Sequence, residues 1–352
     1  MEGEEMLNGL LKYGGLISKS KAIGAKQLKQ EDYEQLMQKT SLAEIVAFLR
    51  NSTHYDDIFK DVGDKDLHRG DIENPLKKYY VSILKKYNCF VTGEDKKIIK
   101  MIFLREEIEA LKDIMRRIEG DKERFIAPVD EYIAAHFSID IKKLSEAKSM
   151  NEFVEMLSGT EYEKVLRKLV NADVKRNMFT IEMALDSHFY KQLAKMIKET
   201  DKRNRNFMKA IYGSEIDLKN IIWIYRCAKY YNVSKEIVVA YHLPYRYDLS
   251  KANFDEMLSA DNLASLFKII EKTKYKKLVE GLTEEGSGKN IEANYNRYFS
   301  NRIKELARKN KYSPVAMIEQ LYSAECEIKK IINIVECIRY KLSVSEIKDL
   351  VG

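Results

Sequence analysis

The amino-acid sequence predicts an all-α fold in which three similar helical units follow one another along the chain. Only four prolines interrupt 352 residues. In several long segments apolar residues recur at spacings of three and four, as on one face of an amphipathic helix. The strict alternation of a half-buried strand is hard to find, and the run Glu236–Tyr241 is too short and isolated to indicate a sheet.

Three apolar stripes justify the main helices. The last one follows Ser313-Pro314, a pair typical of an N-cap and a first-turn proline, and it predicts a helix of about six turns. The stripes are Ile98, Met101, Leu104, Ile108, Leu111, Met115 and Ile118; then Leu218, Ile221, Ile222, Tyr225 and Ala228; then Leu321, Ala324, Ile328, Ile331, Val335, Ile338 and Leu342.

An internal repeat is visible first in a helix that ends in Thr-x-Tyr. The apolar runs 45–49, 153–157 and 266–270 lead to Thr53 and Tyr55, to Thr160 and Tyr162, and to Thr273 and Tyr275. The first two helices open with the capping boxes Ser41…Glu44 and Ser149…Glu152, and the third has Asn262 at the matching place.

A second anchor stands 58 residues after each tyrosine: Asp113-Ile114, Asn220-Ile221 and Asn333-Ile334. The apolar positions around it recur as well, so one buried helical face is written three times. We therefore predict three copies of one helical repeat, 1–127, 128–240 and 241–352. Three helical hairpins stacked for stability alone would share these features.

Composition narrows the possible functions. Charged residues make up 33 % of the chain, and Lys+Arg exceeds Asp+Glu by 61 − 55 = 6. The basic clusters 202–205 and 272–277 lie beside acidic residues, which argues against nucleic-acid binding. No uncharged run approaches the ~18 residues of a membrane span. The acidic start, Met1–Glu5, does not resemble a secretory signal, so we expect a cytoplasmic protein.

Catalytic and metal-binding motifs are not apparent, so we predict no catalytic residue, cofactor or metal. The segment 281–290 departs from a phosphate-binding loop, since Ser287-Gly288 stands where Lys-Ser/Thr is required. The five histidines are scattered and read as surface or cap residues, and Trp223 reads as a packing residue. The four cysteines read as reduced thiols, buried or half-buried.

Segments 215–226, 232–237 and 242–244 resemble the C subunit of archaeal and bacterial V/A-type ATPases, the counterpart of the eukaryotic d subunit. The likeness extends over nearly the whole chain, although Tyr245 stands where the family often has glycine. It implies a funnel-shaped, non-catalytic rotor component on the cytoplasmic face of the membrane. Such a component joins the central stalk (D/F type) to the membrane rotor ring of proteolipid subunits and transmits torque for ATP-coupled proton or sodium transport.

The sequence properties fit that role, because long helices with continuous apolar seams are stiff. We expect polar helix ends to line the socket for the stalk, and apolar or small side chains to meet the ring. The alternatives are a helical-repeat scaffold with cytosolic partners, a nucleic-acid-binding helical protein, and an enzyme, which would need a pocket with convergent titratable groups.

Overall fold

The computed structural model describes residues 2–120, 128–170, 178–231, 235–243, 245–283 and 291–351. Within these residues the secondary structure is entirely helical, which confirms the all-α prediction. The run predicted not to form a sheet, Glu236–Tyr241, lies in a helix. Residues 284–290 of the rejected phosphate loop, and residues 232–234 and 244 of the family-like segments, lie outside the described residues.

The helices follow the same order three times. The first series is α1 (Glu2–Gly24), α2 (Gln30–Met37), α3 (Leu42–Ser52), α4 (Asp56–Phe59), α5 (Arg69–Phe90) and α6 (Lys96–Glu119). The second is α7 (Glu131–Ala134), α8 (Ile141–Leu144), α9 (Met150–Met156), α10 (Glu161–Val170), α11 (Met178–Glu199) and α12 (Lys202–Arg226). The third is α13 (Lys235–Tyr241), α14 (Lys251–Leu258), α15 (Leu263–Glu271), a 3-10 turn (Lys276–Leu278), α16 (Ile291–Lys309) and α17 (Val315–Arg339), followed by α18 (Val344–Val351). Where each copy begins and ends stays a prediction.

Side chains cap α3, α9 and α15 as the sequence predicts. The N–H of Glu44 donates to the Ser41 hydroxyl at 3.3 Å, and the N–H of Glu152 donates to Ser149 at 3.2 Å. The N–H of Ser265 donates to the Asn262 side chain at 2.8 Å. Each cap satisfies an amide that has no partner inside its own helix.

The chain divides into two compact units, residues 1–93 with 270–352 and residues 94–269. In the first unit α17 packs against α1, α2, α3, α5, α16 and α18. Its core combines residues of the first copy, among them Leu36, Leu49 and Leu76, with Ile331 and Ile334 of α17. The last long helix therefore completes the core of the first copy.

The second unit repeats this arrangement. Helix α6 packs against α7, α8, α9 and α11, and α12 packs against α11 and α14. The long helix of each copy thus contacts helices of the following copy, and α17 takes that place for the first. None of the helices in the described part of the chain combines the length and hydropathy that a membrane crossing needs.

The ends of two long helices differ from the prediction. Helix α12 continues into a π-helical turn, Cys227–Tyr231. A π turn holds more residues than an α turn, so Ala228, predicted on the buried stripe, is exposed while Cys227 is buried. Helix α17 ends at Arg339, three residues before Leu342.

A left-handed turn terminates α17. Lys341 has φ 57°, and the N–H of Leu342 donates to the Cys337 carbonyl at 3.0 Å. This is the bond pattern of a Schellman cap. Leu342 still packs against the core, from the turn rather than from the helix.

Candidate functional site: carboxylate clamps on the long helices

The threonines of the first anchor end the anchor helices in the same way. Their hydroxyls donate to main-chain carbonyls of the helix just completed, Thr53 to Leu49 at 2.6 Å, Thr160 to Leu157 at 2.7 Å and Thr273 to Ile270 at 2.7 Å. Thr53 and Thr273 also accept the N–H of Tyr55 and Tyr275, whereas Thr160 accepts that of Glu163.

The tyrosines of this anchor are all buried: Tyr55 is 0 %, Tyr162 3 % and Tyr275 1 % exposed. At the second anchor Ile114, Ile221 and Ile334 are buried, 5 %, 0 % and 0 % exposed. The polar residue before them varies: Asp113 is half-buried, Asn220 is buried and Asn333 is exposed. Only the isoleucine is therefore buried alike in all three copies.

Asn220 shows what the buried form of this position does. Its side chain accepts the N–H of Leu243 at 2.8 Å and donates to the carbonyl of the same residue at 3.3 Å. The two bonds fasten the segment before α14 to α12.

Glu327 on α17 holds two parts of the first copy. Its Oε1 accepts the Tyr55 hydroxyl at 2.6 Å, and its Oε2 accepts the N–H of Leu28, just before α2, at 2.8 Å. The glutamate is 5 % exposed. Burial raises its pKa, while the bonds from Tyr55 and Leu28 oppose that rise by stabilising the carboxylate.

Glu107 on α6 plays the same part toward the second copy. Its oxygens accept the N–H of Ser138 at 2.9 Å and the Ser138 hydroxyl at 2.5 Å. Tyr162 also donates its hydroxyl to Glu107, and burial together with this carboxylate raises the pKa of Tyr162. Tyr55 and Tyr162, recognised in the sequence as repeat anchors, thus bind equivalent carboxylates.

Asp217 on α12 holds the third copy by main-chain groups alone. Its carboxylate accepts the N–H groups of Tyr247, Asp248 and Leu249, at 3.0, 2.6 and 2.8 Å. Asp217 is 0 % exposed. The bound segment leads into α14, as Leu28 leads into α2. We call Glu107, Asp217 and Glu327, with their donors, the carboxylate clamps.

The clamps occupy positions 107, 217 and 327, so they recur at a spacing of 110 residues. We did not predict them, because acidic residues are mostly exposed and carry little information in a highly charged chain. Glu327 does lie three residues after Ala324 and four before Ile331 on the predicted apolar stripe. A carboxylate inside an apolar stripe is the signal that could have revealed it.

A buried ion network joins three helices of the second unit. Lys112 on α6 lies 2.5 Å from Asp186 on α11, and Lys219 on α12 lies 3.8 Å from the same carboxylate. Burial opposes ionisation of Asp186, but the two lysines hold its pKa below the usual range. Burial likewise opposes charge on Lys112, yet its carboxylate neighbours raise its pKa.

Other polar side chains are placed partly as predicted. His68 occupies the N-cap of α5 and His136 is exposed, whereas the His54 side chain is buried, with its Nε2 3.7 Å from Glu327. Burial lowers the pKa of His54 to about 4, so it is neutral at pH 7. Cys89 is exposed, against the prediction, while Trp223 is buried.

The arrangement is suited to holding helices in fixed positions. A hydrogen bond to an ionised group contributes about 1.5–3 kcal/mol, and a buried carboxylate that loses its donor pays the full desolvation cost. Among the described side chains, no group of three or more His, Cys, Asp or Glu is arranged to hold a metal ion. The clamps therefore resist relative movement of the helices they join.

Comparisons with known proteins agree with the resemblance. The sequence profile of the ATP synthase (C/AC39) subunit family matches residues 16–350. The chain is 28 % identical to the A-type ATP synthase C subunit of Pyrococcus furiosus over 65 % of this chain and 60 % of that protein. It is 24 % identical to the Methanocaldococcus jannaschii protein of the same name, over 98 % of this chain and 88 % of that one.

The extent of these matches differs among relatives. The chain spans 60 % of the Pyrococcus furiosus protein and 57 % of the A-type ATP synthase C subunit of Pyrococcus horikoshii. The family profile, in contrast, runs through helices of all three predicted copies. This chain belongs to the ATP synthase (C/AC39) subunit family.

Proposed function

We propose that this chain is the non-catalytic central-rotor coupling subunit of a V/A-type ATP synthase. In this role it sits on the cytoplasmic face of the membrane and links the central-stalk subunits (D/F type) to the membrane rotor ring of proteolipid subunits. It transmits torque for ATP-coupled proton or sodium transport. The observation that carries the proposal is the family match over residues 16–350, together with relatives named as the C subunit of A-type ATP synthases.

The clamps support a mechanical role. Torque that passes through a chain of helical copies loads the joints between them, because each joint is held by fewer contacts than a helix interior. Here each joint has a buried carboxylate bonded to donors of the following copy. Buried charge-assisted bonds have defined geometry and little contact with solvent ions, so they resist shear at any ionic strength.

The predicted copies 1–127, 128–240 and 241–352 are part of this proposal. We assign the rigid joints to features shared by the copies, and the partner contacts to features in which they differ. Polar helix ends are proposed to line the stalk socket, and apolar or small side chains to meet the ring. Because exposed charge pairs are screened by salt, added salt should weaken stalk docking more than ring docking.

Co-purification tests the proposal. The full chain, carrying an affinity tag, is incubated with the detergent-solubilised rotor ring and separately with the stalk subunits, at low and high salt. We expect it to retain both, with the stalk released first as salt rises. Recovery of neither partner would refute the coupling role and favour a cytosolic scaffold, and equal salt sensitivity would refute the division into socket and ring faces.

A clamp variant tests the mechanical part. Glu107→Gln in the reconstituted complex should leave ATP hydrolysis by the catalytic subunits intact while ion transport per ATP falls. Glu94→Gln is the matched control, since Glu94 is exposed and pairs only locally with Lys97 at 2.6 Å. Unchanged coupling in a folded, assembled Glu107→Gln complex would count against the clamps as torque-bearing joints.

A further inference from the structure

We propose that α1, together with the C-terminal half of α5, forms a surface that binds anionic lipid headgroups. The inference goes beyond the coupling role and requires no other protein of the complex. The residues that define this α1–α5 surface are the exposed side chains Leu7, Leu10, Leu11, Lys12, Lys85, Lys86 and Phe90.

The apolar part of the surface lies on α1. Leu7, Leu10 and Leu11 are 56 %, 45 % and 76 % exposed, whereas Tyr13 and Leu16 on the opposite side are buried. A helix that is apolar on both faces is normally covered on both. The outer face of α1 therefore has the composition of a contact surface.

Phe90 continues this apolar surface onto α5. It is 44 % exposed, and a methyl group at Gly15 would lie 3.3 Å from its ring, so the ring packs over the α1 backbone. Nearby, the Tyr87 hydroxyl donates to Ser20 at 2.9 Å, which holds the two helices side by side. The leucines and Phe90 thus belong to one supported structure.

The charge of these two helices is unlike that of the rest of the chain. Residues 7–29 contain five lysines and no acidic residue, and residues 74–92 contain four lysines and no acidic residue. Lys77 pairs with Glu73 at 3.1 Å, while Lys12, Lys85 and Lys86 extend to the surface. Elsewhere acidic and basic residues alternate, so this region is the basic stretch that the overall charge balance conceals.

Exposed leucines and a phenylalanine beside lysines are the pattern of a helix lying in a membrane interface. Anionic headgroups complement the lysines, and the acyl boundary accepts the leucines. The copy order strengthens this point. Helix α1 has 23 residues, whereas its counterparts α7 and α13 have 4 and 7 among the described residues. The leucines lie on the part that only the first copy possesses.

Vesicle flotation with the purified full chain tests the proposal. We expect binding to vesicles of equal parts phosphatidylglycerol and phosphatidylcholine, weakened by salt, and little binding to phosphatidylcholine alone. Since each lysine near an anionic surface contributes about 1 kcal/mol, Lys85→Gln with Lys86→Gln should weaken binding about 30-fold. Leu11→Gln should weaken it roughly tenfold. Lys276→Gln with Lys277→Gln, a second pair of adjacent exposed lysines, should leave it unchanged.

Three outcomes would overturn the inference: equal binding to neutral and anionic vesicles, equal losses in the two lysine pairs, or capture by soluble polyglutamate without vesicle binding. The last would assign the surface to an acidic protein. Circular dichroism confirms that each variant is folded. Replacing Glu2, Glu4 and Glu5 by Gln should strengthen vesicle binding by removing repulsion. Failure of vesicle binding leaves ring and stalk co-purification untouched, so the two proposals fail separately.

Discussion

Replacing Tyr55 by Phe tests the clamp at Glu327 with a single oxygen atom. The ring is fully buried and keeps its edge contact with Phe59, at 6.3 Å between centroids, so Tyr55→Phe leaves the packing in place. It removes the 2.6 Å hydrogen bond to Glu327, whose carboxylate then retains only the Leu28 N–H. Because the acceptor is charged and 5 % exposed, we expect a loss of about 2 kcal/mol in the free energy of unfolding.

The equivalent change at Glu107 should cost less. Tyr162→Phe leaves Glu107 with both the N–H and the hydroxyl of Ser138, so we expect a loss of about 1 kcal/mol. Tyr340→Phe, at a residue 74 % exposed, should change stability by less than about 0.5 kcal/mol. Urea unfolding followed by circular dichroism gives the three values, and amide exchange at Leu28 reports the local effect of Tyr55→Phe.

The pH dependence provides a second check on Tyr55→Phe. The Tyr55 hydroxyl stabilises the ionised form of Glu327, so its removal raises the pKa of a carboxyl already raised by burial. The difference between wild type and variant should therefore shrink as the pH falls and Glu327 becomes protonated in both. A cost below about 0.5 kcal/mol for Tyr55→Phe, or one below that of Tyr162→Phe, would refute the clamp reasoning.

Three further changes have defined outcomes. Asp186→Asn should destabilise the fold by about 3 kcal/mol at pH 7, since it leaves the buried Lys112 short of a partner. The lowered pKa of Asp186 places its contribution above the usual Asp value, so in urea titrations the difference from wild type should fade below about pH 4. Lys341→Gly should stabilise the chain by about 1 kcal/mol, because Lys341 has φ 57°; thermal unfolding that shows no gain would contradict this. Asp217→Asn should accelerate amide exchange at residues 247–249 by at least roughly tenfold, with segment 24–29 as the unaffected internal reference.

Local features of the fold were predictable because their causes are local. The caps at Ser41 and Ser149 and the threonines that end the anchor helices depend on atoms within four residues, so spacing in the sequence reports them directly. The same holds for the burial of Ile114, Ile221 and Ile334, which helical periodicity places on one face. The π-helical turn after α12 breaks that periodicity, and the prediction for Ala228 failed there.

The clamps could not be predicted in the same way, because their donors are remote. The Leu28 amide that binds Glu327 is 299 residues away in the chain, and periodicity does not say which segment will cover a given helical face. For the same reason the sequence did not reveal that Asp113, Asn220 and Asn333 would differ in burial. Their helical positions are equivalent, but the segments that pack over them are not.

Similarity and difference among the copies carry separate kinds of information. A protein that joins two unlike partners cannot distinguish them with three identical surfaces, so its contacts must come from features that one copy has alone. In the described residues, the extended α1 with its exposed leucines occurs in the first copy and the π-helical turn with exposed Tyr230 in the second. The carboxylate clamps, in contrast, recur at one spacing. They hold the framework on which those unequal surfaces are displayed, so a clamp variant should weaken coupling while leaving lipid binding by α1 intact.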